Sequence, residues 1–133
     1  MHTIVIDSKD KLDGGTNTNF TIQLNQELIS PRRGTLLFAN LPTANDNTES
    51  YFLVRIQEFG IGVQSGSANG YGSFVIPVTT GSGFRNIHQI GQDFPSYSST
   101  NMAGISQLNV QIIDRNGVIA ADVGEVLLII QVE

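Results

Sequence analysis

The chain has 133 residues, a net charge of −5 and no cysteine. That length suits one domain that buries roughly two-thirds of its unfolded surface without a covalent staple, and the missing Cys excludes disulfides, thiolate metal sites and a Cys nucleophile. With only seven Lys and Arg there is no basic stripe to displace counterions from a nucleic acid.

In chain order, the opening MHTIVIDSKD holds a short apolar run followed by charges. It is too short for the apolar region of a secretory signal, so none is expected. Thr3–Asp7 reads as a strand. Asp7, Asp10 and Asp13 follow at intervals of three, not the two of a calcium loop, and no Glu closes the set. An acidic, turn-rich surface is the expectation, with no metal.

After DGGTNTN comes Phe20–Asn25, in which Phe20, Ile22 and Leu24 alternate with Thr21, Gln23 and Asn25. Period-two alternation is the signature of a half-buried strand. SPRRG, with the adjacent Arg32 and Arg33, reads as a solvated turn before a strand at Thr35–Asn40. Asn40–Ser50 is a polar loop. Tyr51–Gln57 and Ser73–Thr79 are further strands, with a weaker candidate at Gly60–Gln64. GVQSGSANGYGS is Gly-rich but does not join a strand to a helix, so it is a poor phosphate cradle.

A weak strand at Asn86–Ile90 contains His88. Gly91–Gly104 then lacks a period, and loops of that length are functional or cover cores. Its Phe94, Tyr97 and Met102 are candidate loop contacts. Leu108–Ile113 alternates again, with Leu108, Val110 and Ile112 opposed to Asn109 and Gln111. Asn116-Gly117 supplies the positive φ of a type I′ reversal back into a weak Val118–Ala120 strand. Glu125–Val132 closes the pattern. A membrane span needs about 18 or more apolar residues; the longest run, VLLIIQV, is strand-length, so no membrane insertion is expected.

Helical periodicity is nearly absent. Many short strands with turn residues between them predict an all-β fold over residues 1–133: an antiparallel sandwich, a single jelly roll of about eight strands. No enzyme is expected. His2 and His88 are the only histidines. His88 and Asp93 lack a nucleophile elbow to complete a triad, and two separated histidines do not make a metal set. No cofactor is expected either. Tyr51, Tyr71 and Tyr97 offer rings with polar tips to a sugar, though the absence of Trp weakens that reading.

The opening IVIDSKDKLDGGTNTNFTIQLNQEL and the close LNVQIIDRNGVIAADVGEVLLIIQVE resemble one family. A short strand, an I-D-S-x-D turn (Ile6, Asp7, Ser8, Asp10), a G-T-x-x-x-F entry (Gly15, Thr16, Phe20) and a D-x-x-G turn (Asp114, Gly117) before a greasy last strand are similar to penton and related minor capsid proteins. These belong to the double-jelly-roll virus lineage: polinton-like viruses, virophages and tailless phages with internal membranes. The resemblance covers both ends and leaves the middle. It implies a structural virion protein assembled in the host cytoplasm, a homopentamer at capsid vertices that contacts the major capsid protein and a spike protein. The alternative is a carbohydrate- or receptor-binding sandwich of a spike or fibre. In the last strand Val126, Leu128, Ile130 and Val132 then face the core, and Leu127 and Ile129 need cover. Another subunit or a loop of the same chain could supply it.

Overall fold

A computed structural model describes residues 2–29, 33–42, 50–59, 61–66, 69–77, 85–95, 104–120 and 123–132, with the backbone alone for 33 and 85–95. The strands are β1 (His2–Asp7), β2 (Asn19–Leu28), β3 (Arg33–Pro42), β4 (Tyr51–Ile56), β5 (Val63–Gln64), β6 (Tyr71–Gly72), β7 (Phe74–Pro77), β8 (Arg85–Pro95), β9 (Ile105–Ile113) and β10 (Leu127–Val132). Among the described residues there is no α-helix, only a 3-10 turn at Ser8–Asp10. The chain is all-β, and its described strand pairs are antiparallel.

Two four-stranded sheets form, sheet A in the order β1-β10-β3-β8 and sheet B in the order β2-β9-β4-β7, with β5-β6 as a separate hairpin. The pairs are nested: first strand with last, β2 with β9, β3 with β8, β4 with β7. β10 also pairs with β3, and β9 with β4, which ties the nested pairs into two sheets.

Alternation explains the core. Phe20, Ile22, Leu108, Val110, Ile112, Phe52, Val54 and Ile56 of sheet B face Ile6, Leu36, Leu41, Leu128, Ile130 and Val132 of sheet A in one buried cluster. A fully buried side chain of this size stabilises by roughly 1.5–3 kcal/mol, so this inter-sheet layer dominates stability. Leu36 and Ala39 both reach it although they are three apart. A bulge allows this: Ile129 pairs with Phe38 and Ile130 with Leu36, leaving Leu37 as the extra residue.

Buried hydroxyls tie the ends of strands. The Ser8 N–H donates to the Val126 carbonyl at 2.9 Å, and the Val126 N–H donates to Ser8 Oγ at 2.9 Å. Thr18 Oγ1 donates to the Ala120 carbonyl at 2.9 Å. Ser73 Oγ accepts from the Ile56 N–H at 3.3 Å, while the Ser73 N–H donates to the Val54 carbonyl at 2.7 Å. That close crossing requires the neighbouring glycine: a Cβ at Gly72 would lie 2.8 Å from the Val54 carbonyl oxygen.

Several expectations need correction. β8 runs from Arg85 to Pro95, so Gly91–Pro95 belongs to a strand and not to a loop. Pairing along β3 extends it, since Gly34 opposes Phe94 and Thr35 opposes Asp93. Arg33 starts β3 instead of sitting in a turn, and Asn40–Pro42 ends that strand. β2 reaches Leu28 through a register shift after Gln23. Val118–Ala120 is no strand; Ile119 makes a single bridge to Ile113.

The reversal itself is present in a different form. Gly117 has φ +80°, but Asn116 does not share a positive φ. The Gly117 N–H donates to the Asp114 carbonyl at 3.1 Å, and the Asp114 N–H donates to the Val118 carbonyl at 2.9 Å. Asp114 Oδ1 accepts from the N–H groups of Asn116 and Val118. A turn closed by Asp114 with one left-handed glycine replaces the type I′ pair.

Candidate assembly surface

Each sheet has an outer face, and the two are built from different chemistry. On sheet A the residues that point away from the core include Thr3, Val5 and Asp7 of β1, Leu127, Ile129 and Gln131 of β10, and Thr35, Phe38 and Asn40 of β3. Pairing register sets this, because directly opposed residues share a face. Val5 opposes Ile129, which opposes Phe38. An apolar stripe therefore crosses three strands. Val5 is 56% exposed, and Phe38, Leu127 and Ile129 are half-buried. The bulged Leu37 is exposed beside Phe38.

Leu127 and Ile129 thus lie on the outer face that the resemblance implied, and the structure brings them together with Val5 and Phe38. Phe94, expected in a loop, sits on β8 at the far edge of the same sheet, its backbone opposite Gly34. Tyr97 and Met102 lie outside the described residues. Val5 was not singled out by the sequence, because Ile4, Val5 and Ile6 form an unbroken apolar run that does not mark which face is buried. Nor was Phe38, because in an unbulged strand it would share a face with Leu36.

The outer face of sheet B is polar across β2 and along β9 as far as Gln111; beyond it Ile113 of β9 and Leu53 of β4 are apolar and fully buried. Thr21 Oγ1 donates to Asn109 Oδ1 at 2.6 Å, and the Asn109 backbone and side-chain N–H groups donate to the two Glu58 carboxylate oxygens at 2.6 Å each. Gln107 Nε2 donates to Gln23 Oε1, and Gln23 Nε2 donates to the Ser106 carbonyl, both at 3.0 Å. Arg55 holds the β5-β6 hairpin. Its Nη2 donates to the Asn69 carbonyl at 2.8 Å, and its guanidinium stacks 3.7 Å from the Tyr71 ring centroid. Tyr71 is 36% exposed, but one face of its ring carries Arg55. Tyr51 is half-buried at the start of β4, and Tyr97 is outside the described residues.

The other chemistry-bearing residues are scattered. His2 is exposed at the start of β1. The backbone of His88 on β8 opposes Ala39 of β3, while Asp93 opposes Thr35 beyond a register shift. Asp7 caps the 3-10 turn, its Oδ1 accepting from the Lys9 N–H at 2.9 Å. Among the described residues no three His, Cys, Asp or Glu side chains gather as a metal site. No described helix is long and apolar enough to cross a membrane. No protein-family model matches the chain, and no curated protein is similar to it at a significant level.

Proposed function

We propose that the protein is a structural virion protein, a single jelly roll that forms the homopentameric penton at icosahedral capsid vertices. The jelly-roll reading rests on the nested pairs. An eight-stranded jelly roll combines two Greek keys in two sheets, and a long antiparallel ribbon rolled on itself gives the orders 1-10-3-8 and 2-9-4-7 once the β5-β6 hairpin is set aside as an insertion.

The observation that carries the assembly role is the apolar stripe of Val5, Ile129 and Phe38 with Leu127 beside it. Contiguous exposed apolar surface favours association, and cyclic closure repeats one heterologous contact around the ring. Function is then shape and burial, not catalysis. Its partners are further copies of the chain, the major capsid protein and a spike protein. The alternative is a carbohydrate- or receptor-binding sandwich of a spike or fibre, which would draw on Tyr71 and the polar face of sheet B.

Native mass spectrometry of the full chain separates these readings. A five-membered ring that the double variant Leu127→Thr/Ile129→Thr loses, while still melting near the wild-type temperature, supports the penton. An unchanged ring in that variant removes the stripe from the interface. A monomer that retains glycans on an array selects the binding module, and a trimer points to a spike or fibre.

A further inference from the structure

We propose that the free edge of β1 is a self-pairing edge, on which two copies of this chain join β1 to β1 in antiparallel register centred on Val5. The inference stands on the edge itself and does not depend on the capsid reading.

Among the described residues β1 has a hydrogen-bonded neighbour, β10, on one side only. The Ser8 N–H donates to the Val126 carbonyl. Because backbone groups alternate sides along an antiparallel strand, those of Ile6, Ile4 and His2 also point to β10. Those of Thr3, Val5 and Asp7 therefore point outward. An array of alternating N–H and C=O groups is recognised by one chemistry, another extended backbone.

The other three edges of the two four-stranded sheets are blunted. β2 breaks register between Gln23 and Leu28 and is lined there by exposed Gln23, Asn25, Gln26 and Glu27. β7 has four residues and ends at Pro77. β8 is bounded by Arg85 and Pro95 and shifts register against β3. β1 carries no proline, no lysine and no register shift over its six residues, so it lacks the devices that keep edges apart. The matching unprotected edge is the same strand of a second copy.

The edge is also self-complementary. Placing Val5 opposite Val5 of the second copy sets Ile4 opposite its Ile6, and Thr3 opposite its Asp7, a hydroxyl donor facing a carboxylate. On the outer face the stripe of Phe38, Ile129 and Val5 then runs on into the second copy. On the inner side the added strand lies along the rim of a cleft of about 670 Å³ lined by Ile4, Ile22, Leu24 and Leu28. Ile4 and Leu24 are left half-buried there by the single chain.

The test combines native mass spectrometry with amide hydrogen exchange on full-length wild type and Val5→Lys. Val5 is exposed, so lysine leaves the core intact while placing like charges face to face at the two-fold. The expected result is a wild-type dimer, or a decamer if the five-fold ring also forms. Val5→Lys should raise the dissociation constant about tenfold or more at an unchanged melting temperature. The amides of Thr3, Val5 and Asp7 should become protected as wild-type concentration rises. A wild type that is only monomeric, or only a five-membered ring whose Val5 amide still exchanges freely, overturns the pairing. So does a dimer that persists undiminished in Val5→Lys. A ring without a dimer refutes this edge and leaves the penton reading standing; a dimer without a ring does the reverse.

Discussion

On the outer face of sheet B, long polar side chains find partners within the molecule: Thr21 with Asn109, Asn109 with Glu58, Gln107 with Gln23, Arg55 with Gln111 and with the hairpin carbonyls. On the outer face of sheet A, Val5 opposes Ile129 and Ile129 opposes Phe38 across the strands, and Val5 remains mostly in water. The two faces share one backbone architecture and one core. Across β2 and most of β9, sheet B is finished for solvent by its own side chains, and its apolar Leu53 and Ile113 are already buried within the chain. Sheet A presents apolar area that gains free energy when another surface covers it. On the proposed reading association draws on one face, while folding draws on the layer between the sheets.

The sharpest way to break that division is on β10 itself, where neighbouring residues point opposite ways. Leu128→Ala empties a fully buried position and should destabilise by about 2–5 kcal/mol. The double Thr variant at Leu127 and Ile129 touches half-buried positions and should cost less while changing oligomeric state. Equal losses in a denaturant titration would show that the outer face is as much core as the inner one.

Next in size is Gly72→Ala. The added Cβ meets the Val54 carbonyl, which is backbone and cannot swing aside. A loss of about 1–3 kcal/mol is expected from this overpacking, with no effect on assembly. A wild-type melting curve for Gly72→Ala would mean that the crossing of β4 and β6 relaxes freely.

Glu58→Ala probes the polar face directly. It removes the carboxylate that accepts from both N–H groups of Asn109, and charged hydrogen bonds of this kind contribute roughly 1.5–3 kcal/mol when intact. Because the site is only part-buried, about 1–2 kcal/mol is the expected loss. Oligomeric state should not change. If it does, sheet B also takes part in assembly and the contrast between the faces fails.

Gly117→Val tests the reversal after β9. A β-branched residue resists the left-handed φ of +80° found there, so about 1–2 kcal/mol should be lost. Asn116→Ala should matter less, because Asn116 contributes its backbone N–H to Asp114 and not a left-handed conformation. Equal effects of the two would restore the type I′ geometry.

Much of the inner architecture was legible in the sequence. Alternation in Phe20–Leu24 and Leu108–Ile112 marked which side chains enter the core, because a strand's period of two follows from backbone geometry alone; in the last strand, apolar on both faces, the inward set came from the family resemblance. The left-handed glycine at 117 was legible for the same local reason. Outside that reach lay everything set by pairing. β8 was underestimated because its extension to Pro95 depends on β3 lying alongside it, not on a pattern of its own. Phe38 joined the outer stripe through a bulge that exists only between β3 and β10. Glu58 met Asn109 across 51 residues of sequence, a contact no local window contains. That β1 has a neighbour on one side only among the described residues is likewise a tertiary fact: a strand's sequence states which face is apolar, but which strand lies at an edge is decided when the nested pairs close into two sheets.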